Sequence, residues 1–195
     1  MNKPADAEYS VNTLIEKRWS PRSFLDQPVE PEKLRSCLEA ARWAPSCFNQ
    51  QPWRFIVARK EDEASFAKIA DCLVPGNAWA RAAGALVLST GCLTFEHNGK
   101  PNRHAWHDVG LATAHFVIQA TELGLSIHQM AGFDVEKARV DLAVPEGFDP
   151  VAVLAVGYQG PPDQLADELR EREMAPRVRR PQSEFVFGDA WGKAF

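Results

Sequence analysis

An α+β layered fold is what this sequence predicts, and three patterns predict it. Apolar runs at residues 53–58, 85–88 and 151–156 have the length of buried strands. Longer segments with apolar residues at helical spacing lie among them, and 105–123 is the longest of these. The two kinds are interspersed without strict strand–helix–strand repetition, which favours a mixed, layered arrangement. Composition is consistent with one domain: 195 residues, 45% hydrophobic and 25% charged, supply a sizeable core.

In chain order, Val11, Leu14 and Ile15 share a helical face, so residues 9–17 read as a first helix. The stretch Arg18 to Phe24 breaks that pattern, and Pro21 would end any helix. Glu30-Pro31 can begin a second helix, because proline is tolerated in a first turn. Leu34, Cys37, Leu38 and Ala41 line one face of it, and it stops near Trp43, ahead of Pro45. After the strand at 53–58, Glu61 to Ala70 reads as an amphipathic helix with Phe66 and Ile69 inward. Pro75-Gly76 is a turn signal, and a short helix over 78–83 precedes the strand Ala85 to Leu88. The polar stretch 91–104 is the longest loop and a natural pocket wall. Ala105 to Leu123 is the central helix, with Gly124 placed to cap it. Leu125 to Met130 reads as extended, and Asp134 can cap a helix through Val140. Residues 163–173 are highly charged and read as a solvent-facing helix. The tail from Ala175 is basic, then apolar at Phe185-Val186-Phe187, which should dock on this subunit or on a partner.

Several function classes are disfavoured. A net charge of −4, from 22 basic and 26 acidic residues, is not the footprint of a nucleic-acid binder. No apolar run approaches a membrane span, and residues 1–10 lack a signal peptide's apolar core, so a cytoplasmic protein is expected. Cys37, Cys47, Cys72 and Cys92 form no close pair and read as free thiols in a reducing compartment. Cys92, His97, His104, His107 and Asp108 match no tight zinc spacing, so no metal is expected. Gly157 and Gly160 lead into two prolines, which is no nucleotide-binding fingerprint.

Three places carry candidate chemistry. Arg18, Ser20 and Arg22 alternate, so two guanidiniums and a hydroxyl could meet a phosphate, or equally pair with surface carboxylates. Between Pro45 and Pro52, a stiff loop holds Ser46, Asn49, Gln50 and Gln51, which could grip a polar ligand or satisfy local amides. Asn77 could bind a ligand or cap a helix. Cys47 has no neighbouring histidine to activate it, and no catalytic nucleophile is expected.

Taken in order, R-x-S-x-R at Arg18 to Arg22, P-S-x-x-N-x-Q-P-W at Pro45 to Trp53, Asn77, Met130-Ala131-Gly132 and Arg179-Arg180 resemble the nitroreductase family of FMN-dependent enzymes. The resemblance runs from Arg18 to about Phe187. It implies a three-layer α-β-α sandwich with a mixed central sheet, formed by residues 1–195 as one FMN-binding domain. It also implies a homodimer with FMN at the interface, the N-terminal helix and C-terminal arm being associated with it. On this resemblance Arg18 and Ser20 hold the FMN phosphate, Arg179 or Arg180 completes the site with Arg179 preferred, and Arg22 lies by the flavin pyrimidine. Pro45, Ser46 and Asn49 touch the flavin bound mainly by the other subunit, while Gln51 braces the loop. Asn77 bonds the flavin edge with Arg81 one turn further on, and the backbone of Met130, Ala131 and Gly132 faces the ring. Trp19 and Cys47 fall inside these motifs and count among the cofactor positions; Phe48 and Trp79 shape the space above the flavin. The implied reaction is ping-pong: NADH or NADPH gives a hydride, and a nitroaromatic, quinone or related small molecule takes it. A relative with a dedicated substrate, such as an enal, an enone or flavin itself, and a non-catalytic FMN-binding module remain as alternatives.

Overall fold

Four strands form one sheet in the computed structural model, which describes residues 1–195. They are β1 (Trp53–Arg59), β2 (Ala85–Cys92), β3 (Ser126–Met130) and β4 (Phe148–Gly157), in the order β1-β2-β4-β3. Six helices surround them: α1 (Thr13–Lys17), α2 (Pro31–Arg42), α3 (Glu63–Ala70), α4 (Ala105–Glu122), α5 (Val135–Asp141) and α6 (Asp167–Met174). No helix is long and apolar enough to cross a membrane.

Period-two alternation in the central strands builds the layers. Val87 pairs with Leu154, and both point to the face covered by α2 and α4, among Leu34, Cys37, Phe116 and Ile127. Leu86 pairs with Ala155, and both point to the opposite face, among Phe66 and Ile69 of α3, Ala138 of α5 and Met130. The α+β class and the three layers are as the sequence implies. Every hydrogen-bonded strand pair is antiparallel, however, where a mixed sheet was expected. The long helix α4 does join two strands that run the same way, β2 and β3, but β4 inserts between them and opposes both.

Local chemistry sets the element ends. α1 is shorter than its apolar pattern suggests, because Asn12 accepts from the Leu14 N–H and begins the helix there. Asp62 and Asp134 cap α3 and α5 in the same way, through the N–H groups of Ser65 and Lys137. Residues 75–82 form a 3-10 turn over the positions read as a short helix. In α6 the reading as solvent-facing holds for most residues, but Leu169 is half-buried and Glu173 is only 1% exposed. The apolar tail folds back on itself, with Phe187 bridged to Ala194 and packed on Trp191, while Phe185 and Trp191 stay exposed.

The segment carrying Arg18 to Phe24 is pinned across the end of the sheet. Leu25 N–H donates to the Tyr158 carbonyl and Gly160 N–H to that of Ser23, both at 2.8 Å. The buried Phe24 ring lies where a Cβ on Gly157 would stand 2.9 Å from it, so this approach needs glycine at the end of β4.

Candidate functional site

Cations without counterions mark one end of the site. A pocket of about 290 Å³ is lined by Arg18, Ser20 and Arg179, over an apolar floor of Val117 and Ile118 from α4 and Ile127 from β3. Arg18 follows the last residue of α1, and its Nη1 donates to Ser20 Oγ at 3.2 Å. Arg177 stands beside it, donating to the carbonyls of Lys3 at 2.6 Å and Glu16 at 2.9 Å. Arg18, Arg177 and Arg179 take part in none of the ion pairs of the molecule. Burial first, then the positive charges of Arg177 and Arg179, holds the Arg18 pKa below its ordinary value. Such a cluster favours an anion, which relieves the repulsion and accepts charge-assisted hydrogen bonds.

The other basic candidates are partnered. Arg22 sends its backbone N–H to the Glu173 carboxylate at 2.9 and 3.1 Å, and its guanidinium lies 4.0 Å from the same group. Arg180 is exposed and lies 3.8 Å from Glu184. It lines only the larger groove between the two chain ends, beside Asp6 and Glu8, whereas Arg18 and Arg179 line both that groove and the smaller pocket. Arg81 donates to Asp71 at 2.6 Å and to the Ala70 carbonyl at 3.1 Å. Trp19 carries the Lys3 ammonium over its ring at 4.7 Å.

Along β3 the site continues toward Gly132. Alternation places Ile127, Gln129 and Ala131 on one side of the strand line, and Gln129 also lines the anion pocket. Gly132 is three residues beyond Gln129, roughly 10 Å at an extended rise. The N–H groups of Ala131 and Gly132 donate to no protein acceptor. The Gly132 carbonyl accepts from Asn77 Nδ2 at 2.9 Å and from Val74 N–H at 3.2 Å. This contact also needs glycine, since a Cβ there would fall 2.7 Å from Asn77 Nδ2. Met130 itself points away, into the core on the α3 side.

His128 holds the two parts together. Its Nδ1 lies 3.0 Å from the Pro21 carbonyl, and its ring is 4.6 Å from that of Trp79, which stacks on Phe24 at 6.2 Å. Burial drives its pKa down to about 4, opposed by the Pro21 hydrogen bond and assisted by Arg22 and Arg18. The imidazole is therefore neutral near pH 7, and its one ring proton belongs on Nδ1, donated to Pro21.

The proline-flanked loop lies elsewhere in the protomer. Phe48, Asn49 and Gln51 have φ of 53°, 54° and 49°, a left-handed run of non-glycine residues that must be held in place. Ser46 Oγ accepts from the Gln51 N–H at 2.9 Å, and Gln51 Nε2 donates to the Asn49 carbonyl at 3.1 Å. Asp108, 1% exposed, accepts from the Cys47 N–H at 3.0 Å and lies 3.1 Å from His107 Nδ1. Phe48 is 81% exposed and meets Phe95 and His97 of the 91–104 loop edge-on, at 6.0 and 5.9 Å. From Asp108 to the pocket residues Ala114 and Ile118 is six to ten residues of α4. At 1.5 Å per residue that is roughly 9–15 Å. Pro45, Ser46, Cys47 and Asn49 therefore do not join the anion pocket of their own chain.

Sequence reading missed Arg177, Glu173 and His128. The Arg177-x-Arg179 alternation was a usable signal for the first. Nothing in a run of charged residues marks which carboxylate is buried, and a lone histidine in a strand gives no sign of its partner.

The nitroreductase family model matches residues 15–80 and 71–158. The chain is similar to an FMN-containing oxidoreductase of known structure, with a TM-score of 0.91 and 35% identity over 96% of both chains. An uncharacterized 15.4 kDa protein of Mycolicibacterium smegmatis is 36% identical over 146 residues, covering 71% of this chain and 97% of that protein. An Archaeoglobus fulgidus protein, provisionally named an NADH dehydrogenase/NAD(P)H nitroreductase, is 28% identical over 74% of this chain and 83% of its own.

Proposed function

Because the chain belongs to the nitroreductase family, we propose that it is an FMN-dependent oxidoreductase, taking a hydride from NADH or NADPH and reducing a nitroaromatic, quinone or related organic acceptor. The observation that carries this reading is the cluster of Arg18, Arg177 and Arg179, none of them ion-paired, together with two N–H groups at Ala131 and Gly132 that have no protein acceptor. The residues present fit the cofactor at both ends. Arg18, Ser20 and Arg179 offer the donors that a phosphate monoester needs, and the apolar floor beside them suits the body of a flat ligand.

When bound, FMN supplies a two-electron relay between nicotinamide and acceptor. The chain's own residues bind, orient and exclude water. Arg18 and Arg179 hold the phosphate. The N–H groups of Ala131 and Gly132 are the donors available to an electron-rich ring edge, and such fixed donors stabilise charge most strongly where water is excluded. Asn77, bonded to the Gly132 carbonyl, keeps that turn in the orientation that leaves both N–H groups outward. Phe24 stacks on Trp79, and His128 packs on Trp79 at a tilt of 54°, forming an aromatic wall behind the Pro21 segment. No step calls on a nucleophilic side chain.

The functional unit in this reading is a homodimer of single-domain subunits spanning residues 1–195. The distance along α4 between the Ser46–Asn49 loop and the anion pocket supports it, because that loop is free to serve a partner's flavin. Exposed Tyr9, Ile15, Phe185 and Trp191 near the two chain ends offer apolar surface for the contact. The test is anaerobic stopped-flow of the purified protein with NADH or NADPH, followed by a panel of acceptors. Loss of the yellow flavin absorbance and its acceptor-dependent return are expected. A folded protein that retains no FMN when reconstituted with it would refute the reading.

A further inference from the structure

We propose that Glu173 is the positioning residue of the anion pocket, fixing the segment that carries Arg18 and Ser20 against the segment that carries Arg179. This rests on the reading of that pocket as a phosphate site. α6 has almost no apolar face of its own: Asp167, Glu168, Arg170, Glu171, Arg172 and Glu173 are charged, and Arg170 and Arg172 pair with Asp167 and Glu168 at the surface. Its one buried residue is a carboxylate.

Burying a carboxylate costs several kcal/mol unless its oxygens are satisfied. Here they are satisfied by the chain that must be positioned. Glu173 accepts from the Arg22 N–H at 2.9 and 3.1 Å and from the Ser23 N–H at 3.2 Å, with the Arg22 guanidinium 4.0 Å away. Two consecutive N–H groups on one carboxylate fix the backbone direction of the segment, which an apolar anchor of the same volume would not do.

The main chain of α6 closes the circuit. The Lys3 ammonium donates to the Glu173 carbonyl at 2.7 Å and also to the Ala175 carbonyl. Arg177 then donates to the carbonyls of Lys3 and of Glu16, two residues before Arg18. Glu173 thus ties both anion-binding segments into one ring of contacts, while its charge acts on Arg22 and Lys3 and makes no ion pair with Arg18, Arg177 or Arg179. A side chain that served stability alone would change the binding of any flavin alike. A positioning residue for the phosphate changes the preference for FMN over riboflavin, which differ only by that group.

Dissociation constants for FMN and riboflavin, measured by flavin fluorescence on the full chain, give this preference directly. Glu173→Gln places an amide against one N–H group, and the FMN-over-riboflavin ratio should fall at least tenfold with riboflavin affinity within about twofold. Glu173→Asp, which keeps the charge, should recover part of the ratio. Lys3→Met, at a half-buried position of the N-terminal segment, breaks the same ring while leaving the Glu173 side chain and its N–H donors in place, and should lower the ratio severalfold even if Glu173→Gln fails to fold. An unchanged ratio in Glu173→Gln or, where that variant is unfolded, in Lys3→Met overturns the role of Glu173 alone. A wild-type protein that binds FMN no better than riboflavin overturns the phosphate assignment, and the role with it.

Discussion

The two polar regions of this fold are held in place by different physics. The Arg18–Phe24 segment is positioned by side chains from distant elements: His128 of β3 on the Pro21 carbonyl, and Glu173 of α6 on two consecutive N–H groups. Arg22 is paired with Glu173, but Arg18 has no counterion. The Ser46–Gln51 loop is positioned from within, by left-handed backbone, by Ser46 and Gln51, and by one buried carboxylate, Asp108. The first region is therefore responsive to ligand and to pH, whereas the second is a pre-set shape. Unpaired charge in a fold points to an absent partner, and strained but satisfied backbone points to a surface offered to one.

Acid should separate the regions most strongly. The pKa of His128 is lowered from 6.5 to about 4 in the folded state. Between those values the unfolded chain takes up a proton that the folded chain refuses, so stability is full above pH 6.5 and falls as pH drops toward 4. The shift corresponds to about 3 kcal/mol at most. Urea unfolding at pH 7 and pH 4.5 measures the loss, and subtracting the same series for His128→Gln isolates it from the carboxylates. Equal pH slopes in wild type and variant would remove His128 as the sensitive group of the first region.

Next in size is the loss of the central cation. Arg18→Ala deletes charge-assisted bonds to the phosphate, each worth about 1.5–3 kcal/mol, so FMN affinity should fall by roughly 10- to 150-fold. Folding stability should hold or rise slightly, because the variant relieves repulsion from Arg177 and Arg179. A titration with FMN beside a thermal melt reads both. Weakened binding with an equal loss of stability would mean the cluster is structural.

Asp108→Asn probes the second region. It weakens the acceptor for the Cys47 N–H at the entrance of the left-handed loop, at a cost of about 1–2 kcal/mol in unfolding free energy. The FMN-over-riboflavin ratio should stay where it is, since the loop does not reach the cation pocket of its own chain. A shift in that ratio would show that the loop and a cation pocket are coupled, and mixed dimers carrying the substitution in one subunit would tell whether the coupling runs within a protomer or across the dimer.

Much of the scaffold was legible because local chemistry set it. Pro31 at a helix start, Asp134 as a cap and the apolar runs of β1, β2 and β4 read directly from spacing. What stayed hidden depended on long-range partners. β4 slips between β2 and β3 although it follows both in sequence, so strand direction in the sequence did not reveal strand neighbours. At the site, Arg18 and Ser20 were legible as alternating polar residues and Arg179 through the family resemblance, but Arg22 and Arg81 look equivalent to them in sequence. They differ only in having Glu173 and Asp71 nearby.

Adjacent Arg179 and Arg180 make the smallest and sharpest test of that last point. The two are chemically identical, and both are exposed in the tail. Arg179 lines the pocket with Arg18 and Ser20, and its Nη1 donates only to the carbonyl of Val178. Arg180 lies toward Glu184, outside that pocket. Arg179→Ala should cost about tenfold in FMN affinity, the worth of one exposed charge-assisted bond. Arg180→Ala removes only a surface ion pair, worth 0–1 kcal/mol in folding, and should leave FMN affinity within about twofold. If the order of the two were reversed, the tail would have to turn over on dimerisation, and the cation cluster would be built with Arg180 in place of Arg179.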